Sequence, residues 1–105
     1  MISQELNDRI TRVETGTGAG AVLRLYWQPA ALAEELSGPR PVVPVRLMGE
    51  DLVLFRDNSG ELGLIGRHCP HRGADLCYGR REDGGLRCPF HGWHFDRTGQ
   101  CVETP

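Results

Sequence analysis

The chain of 105 residues has room for one domain and a single modest core. Hydrophobic residues make up 39% and charged residues 25%, an ordinary globular mix that excludes wholesale disorder. Its twelve basic residues are all arginine and face fourteen carboxylates, so a net charge of −2 gives no electropositive surplus for nucleic acid. No apolar run approaches the roughly 20 residues needed to span a bilayer. The opening Met1-Ile2-Ser3-Gln4-Glu5 lacks the basic start and apolar stretch of a secretory signal, so a cytoplasmic setting is expected.

In chain order, Ile2, Leu6, Ile10 and Val13 recur at helical spacing behind Ser3, a residue type suited to an N-cap. Thr15-Gly16-Thr17-Gly18 breaks the pattern. A second short helix is expected over Gly20 to Trp27, stopped by Pro29, and a further turn over Ala30 to Leu36. Ser37-Gly38-Pro39-Arg40-Pro41 reads as a linker. From Val42 the period changes. Strands are expected at Val43 to Leu47, Leu52 to Phe55 with Arg56, Leu62 to Ile65, Leu86-Arg87, His94 to Asp96 and Cys101 to Glu103. Turns fall at Gly49-Glu50-Asp51, Asp57 to Glu61, Asp83-Gly84-Gly85 and Arg97-Thr98-Gly99, while Arg80-Arg81-Glu82-Asp83 reads as a solvated turn. No internal repeat is visible. The expectation is a mainly β, antiparallel sandwich or small barrel at 42–105, preceded by short N-terminal helices and a linker at 1–41.

All four cysteines and all four histidines fall from residue 68 onward. Cys69-Pro70-His71 and Cys88-Pro89-Phe90-His91 form two Cys/His pairs, C-x-H and C-x-x-H, and soft thiolate with imidazole implies a transition metal. A single zinc is one reading, yet zinc ligands on one strand of chain usually stand two or more residues apart. With one residue between Cys69 and His71, convergence on one ion is awkward. If each pair divides between two irons the spacing becomes natural, with both cysteines on one iron and both histidines on the other. The surroundings favour the second reading. Pro70 and Pro89 follow the cysteines directly, and glycine follows each histidine within two residues (Gly73, Gly92). Each is an ordinary turn former taken alone; their twofold repetition around the donors is not ordinary.

Cys69-Pro70-His71-Arg72-Gly73-Ala74 together with Cys88-Pro89-Phe90-His91-Gly92-Trp93 resembles the N-terminal Rieske domain of ring-hydroxylating oxygenase large subunits. Ile10-Thr11-Arg12-Val13, Leu23 to Pro29 and the tail Phe95 to Pro105 resemble the phthalate-dioxygenase-like branch. The resemblance implies a Rieske-type fold with two cluster-binding loops, a [2Fe-2S] cofactor held by Cys69, His71, Cys88 and His91, and an electron-transfer role. It implies a flavin- and iron–sulfur-containing reductase as donor. The implied acceptor is a mononuclear Fe(II) in a catalytic domain of the same or a neighbouring subunit, in a homotrimer. That iron needs two histidines and a carboxylate. Only His68 and His94 remain here, so the catalytic domain is expected beyond Pro105 and this chain alone is not expected to hydroxylate a substrate. A free-standing Rieske-type ferredoxin and a zinc-binding interaction module are the competing functions.

Cys77 and Cys101 are expected as small core residues, not ligands, because the respiratory type's bracing cysteine would fall where Phe90 stands. His68 and His94 read as histidines flanking the loops, and Trp93 as packing on the second loop. Arg72 is read as pairing with a carboxylate such as Asp75 or serving a partner interface, and Tyr26-Trp27 as an aromatic anchor.

Ligand charge sets the potential. Two thiolates on a +2 core leave a neutral site, whereas four would leave a dianion, so imidazole ligation raises the potential. Hydroxyl donors raise it further, but Cys69 to Cys77 and Cys88 to Phe95 contain no Ser, Thr or Tyr. A redox titration is therefore expected at the low end of the Rieske range, roughly −150 to −50 mV. A value near about +200 mV would contradict this reading and point to the respiratory class.

Overall fold

The computed structural model describes all 105 residues. By contact it divides into two compact units, one of residues 1–30 with the hairpin tip 46–50, the other of residues 31–45 and 51–105. In the first, Ser3 accepts a hydrogen bond from the Leu6 amide and opens α1 (Gln4–Thr11). Thr17 caps α2 (Gly18–Leu23) by accepting from the Gly20 amide. This cap starts the helix two residues earlier than expected. It also ends earlier: Leu25 and Tyr26 donate to the carbonyls three residues back, tightening the chain into turns. Gly20 is buried, and a methyl there would run into the Val13 and Glu14 carbonyls and the Arg24 guanidinium. Arg24 holds the unit together through the Val13 carbonyl, the Met48 carbonyl and Glu50. Tyr26 and Trp27, expected as an anchor against the sandwich or a neighbouring subunit, are exposed in the single chain.

The second unit carries the core. A three-stranded sheet, in the order β1 (Val42–Leu47), β2 (Glu50–Arg56), β3 (Leu62–Gly66), lies beside a four-stranded sheet, β4 (Arg80–Glu82), β5 (Gly85–Arg87), β6 (His94–Asp96), β7 (Cys101–Glu103). Neither sheet closes into a barrel. Short 3-10 turns occupy Ala33–Leu36 and Leu76–Tyr78. The β1–β2 hairpin turns at Met48 and Gly49, both in the left-handed region (φ 49° and 81°), one residue earlier than expected. Strand β4 also departs from expectation. Its charged sequence shows no apolar alternation, but Arg81 pairs with Leu86 and Glu82 with Gly85, making it the edge of the second sheet.

Val53, Phe55 and Ile65 of the first sheet meet Leu86 and Phe95 of the second, with Leu76, Cys69 and Cys88, in one buried cluster. Burial alternates along β3, as one core-facing side requires. Two turns that look unrelated in the sequence are built alike. In Asp57-Asn58-Ser59-Gly60-Glu61 the aspartate accepts from the Ser59 amide and hydroxyl and the Glu61 amide. In Asp96-Arg97-Thr98-Gly99-Gln100 the aspartate accepts from the Thr98 amide and hydroxyl and the Gln100 amide. This is a local repeat that the sequence reading did not find. Arg97 reaches from the second turn to Asp57 and Glu61 of the first. The buried Asp57 also accepts from the Gly84 amide, stitching the two sheets. Burial alone would raise its pKa, but the Ser59 and Glu61 donors and Arg97 outweigh that and hold it below the usual carboxylate range.

Gly85 sits where β5 crosses closest to β6, and a methyl there would overlap the Phe95 carbonyl. The atoms it would meet are all backbone of β6, which leaves little room to yield. Gly85→Ala is expected to destabilise the fold by about 2–3 kcal/mol in denaturant titrations, with both sheets losing structure together.

Candidate metal centre

Each Cys/His pair rides on a loop closed by the same two backbone hydrogen bonds. In the first loop the Cys69 amide donates to the Ala74 carbonyl (2.8 Å) and the Gly73 amide to the Cys69 carbonyl (2.7 Å). In the second the Cys88 amide donates to the Trp93 carbonyl (2.8 Å) and the Gly92 amide to the Cys88 carbonyl (3.1 Å). The glycine, four residues after the cysteine, has φ 75° in one loop and 79° in the other. A side chain would be strained there, which is why both loops end on glycine. Aligned on this closure, His71 and His91 differ by one position: His71 lies opposite Phe90, and His91 opposite Arg72.

The cysteines and histidines then separate by burial. Cys69 and Cys88 belong to the core, at 2% and 4% exposure, whereas His71 and His91 are exposed. Burial pushes the Cys69 thiol up, and the His71 and Arg72 amides directed at its sulfur act the other way. The Cys88 side chain, within hydrogen-bonding reach, raises it further. The imidazole rings stand 4.6 Å apart, centroid to centroid, edge to face. Nowhere do three His, Cys, Asp or Glu side chains converge on one point. The donors meet as two like pairs, sulfur by sulfur and imidazole by imidazole.

Two arginines brace the loops. Arg67, two residues before Cys69, grips Asp75 with Nε and Nη2 at 2.8–3.1 Å, and Asp75 in turn caps the Cys77 amide. The Arg67 guanidinium, against the opposing cost of burial, lowers the Asp75 pKa to about 2. Arg87, directly before Cys88, donates to the Gly92 carbonyl (2.7 Å), and Glu82 and Glu103 hold its guanidinium from either side. The sequence reading missed both braces. Of the two roles expected for Arg72, the Asp75 pairing goes to Arg67 instead, and Arg72 is exposed. An arginine one or two positions ahead of each cysteine is the signal available in the sequence.

Trp93 is half-buried against the core cluster that includes Cys88 of its own loop. Its ring stacks on His71 of the other loop, at 4.5 Å and nearly parallel. Phe90 lies against His91 at 4.1 Å. Cys77 packs against the core, and burial together with Asp75 raises its pKa to about 11, leaving it an unreactive thiol. Cys101 is also partly buried, its Sγ donating to the Glu103 carbonyl. All four cysteines are free. His68 is exposed and forms a backbone bridge to Asp75 at the base of the first loop. His94 lies on β6 between Arg87 and Glu103, with Nε2 buried and unpaired.

Against known proteins, the Rieske [2Fe-2S] domain family matches residues 26–105. The chain belongs to that family. This Rieske domain is 52% identical over its full length to the oxygenase subunit of 5,5'-dehydrodivanillate O-demethylase from Sphingobium sp.. It is 46% identical, over 98% of its length, to the oxygenase subunit of phthalate 4,5-dioxygenase from Pseudomonas putida. In each case it spans 24% of the relative, so the chain is about a quarter of the length of the curated proteins it matches. A crystal structure of dicamba monooxygenase superposes with a TM-score of 0.67 at 40% identity, covering 76% of this chain and 24% of that one. The similarity supports the oxygenase reading over a free-standing ferredoxin. No helix is long and apolar enough to cross a membrane.

The Arg67–Asp75 brace has a defined pH signature. Because the folded-state pKa of Asp75 is depressed, its stabilisation is fully present above the unfolded value of about 3.9 and is lost as pH falls through about 2. Asp75→Asn is expected to lower the unfolding midpoint at pH 7, and the gap to the parent protein should close in acid. A gap that stays constant down to the acid transition would show that Asp75 is not stabilised by its charge.

Proposed function

We propose that this Rieske domain is the electron-transfer portion of an aromatic-ring hydroxylating oxygenase, with Cys69 and Cys88 on one iron of the cluster and His71 and His91 on the other. The cluster-bearing part is 42–105, behind a lead-in at 1–41. The observation that carries the reading is the sorting of donors: two buried sulfurs side by side, and two exposed imidazoles 4.6 Å apart, on loops with identical closure.

When bound, the cluster supplies reversible one-electron chemistry. The chain's residues do the rest. Cys69 and Cys88 bring their charge into the core as thiolates, a state that is costly there unless a cation balances it. The His71 and Arg72 amides direct partial positive charge at the Cys69 sulfur and lessen that cost. Trp93 covers one face of the His71 ring and Phe90 lies beside His91, restricting water at the imidazoles while both residues remain exposed. Pro70, Pro89 and the two arginine braces fix the loops before the metal arrives, which reduces the ordering cost of binding.

The donor in this reading is a flavin- and iron–sulfur-containing reductase. The acceptor is a mononuclear iron in a catalytic domain of the same or a neighbouring subunit, in a homotrimeric full-length protein with a cytoplasmic setting. Support comes from the relatives, which are oxygenase subunits, and from the exposed histidines, which give a partner short access to the cluster.

Anaerobically purified protein is expected to be red-brown, with two irons and two acid-labile sulfides per chain. Cys69→Ser, Cys88→Ser, His71→Ala and His91→Ala should each abolish that stoichiometry, while Cys77→Ser, Cys101→Ser and His68→Ala keep it. Stoichiometric zinc without labile sulfide, or a cluster retained in any of the first four variants, would refute the assignment.

A further inference from the structure

Trp93 is tied to the centre at its backbone, its edge and its face. Its carbonyl accepts from the Cys88 amide (2.8 Å) and so closes the neck of the second loop. Its side chain packs against the buried cluster that holds Cys69 and Cys88. Its ring lies over His71 of the first loop, 4.5 Å centroid to centroid and within 8° of parallel. His91 meets the same His71 ring at 62° and 4.6 Å. A flat ring held in this way cannot tip or rotate without giving up the stack.

His91 has no comparable hold. Phe90 lies against it at 4.1 Å and 42°, but Phe90 is its neighbour in sequence and 62% exposed, so it moves with the tip it touches. Metal-bound histidines are usually oriented by a hydrogen bond from the second ring nitrogen to a carboxylate or carbonyl. Neither His71 nor His91 makes such a bond within this chain. Orientation therefore falls to ring contacts. Of these, the Trp93 stack is the one anchored in the core.

We propose, on the ligand assignment given above, that Trp93 is a positioning residue that fixes the plane of the His71 imidazole and leaves His91 the freer ligand. Because Trp93 also closes the second neck, the set of a first-loop ligand is controlled from the second loop. The two histidines, alike in exposure, are then unlike in how firmly they are held.

Pulsed EPR on the dithionite-reduced holoprotein reads the nitrogen couplings of the two coordinated imidazoles separately. Trp93→Leu removes the flat face and keeps an apolar side chain. It should shift one of the two couplings, move the reduction potential, and speed loss of cluster absorbance to an iron chelator about tenfold. Trp93→Phe, which restores a flat ring, should bring each readout back toward the parent. Where Trp93→Leu does not fold, Trp93→Met fills the core contact without a flat face and carries the same test. Two couplings that shift together, as general loosening of the core would produce, overturn the proposal. So does a Trp93→Leu protein indistinguishable from the parent, or a Trp93→Phe protein that behaves like Trp93→Leu. A parent with no cluster sinks the ligand assignment and this inference with it, whereas a parent with a full cluster and an inert Trp93 sinks this inference alone.

Discussion

The two closed loops constrain everything else in the cluster-bearing unit. Each is pinned at its neck by a cysteine amide and a cysteine carbonyl, and each can close only because a glycine accepts a positive φ at the fourth position after the cysteine. With both necks fixed, the cysteine side chains have nowhere to go but inward, and the tips have nowhere to go but into solvent. The histidines occupy the tips one position out of step. Despite that offset the two rings meet edge to face, 4.6 Å apart, so the unequal C-x-H and C-x-x-H spacings still bring both imidazoles together.

Bracing falls to ion pairs, because no disulfide links the loops. Arg67 with Asp75 secures the first neck and Arg87 with Glu82, Glu103 and the Gly92 carbonyl secures the second. These arginines are only partly exposed, so their pairs are less screened than free surface pairs. Their geometry matters as much as their charge: a guanidinium can hold a carboxylate and a carbonyl at once, and a lysine cannot reproduce that fork. Trp93 adds an apolar tie across the two loops through His71.

Much of this was readable from residue types and spacing. The short apolar runs of β2 and β3 between turn residues and the Ser3 cap are legible from residue type, and the two Cys/His pairs stand out by metal-ligand preference. Strand β4 did not, because an edge strand with one side in solvent need not alternate, and Arg80-Arg81-Glu82 carries no apolar residue at all. The ends of α2 escaped for a different reason. Thr17 as cap outweighs the weak helix preference of Gly18 and Gly20, and Gly20 is present for close packing against the Val13 and Glu14 carbonyls. The Arg67 and Arg87 braces depend on which carboxylates the fold brings near, and local sequence does not carry that. Trp93 illustrates the same limit: its stack on His71 of the other loop is a tertiary contact that adjacency does not carry.

Site and core are one object here. Cys69 and Cys88 pack directly with Val53, Phe55, Ile65, Leu76, Leu86 and Phe95. The sulfur side of the site therefore inherits the low polarity of the core, while the imidazole side meets solvent. A charge entering on the exposed side is stabilised by water and by any docked partner, whereas charge on the sulfurs is felt strongly and screened little. This asymmetry gives the centre a direction that no symmetric four-cysteine site would have. It also couples stability to cofactor. Burial in the apolar core pushes the Cys69 thiol up, and a cation bound there would favour its thiolate, so that metal binding and folding would reinforce each other.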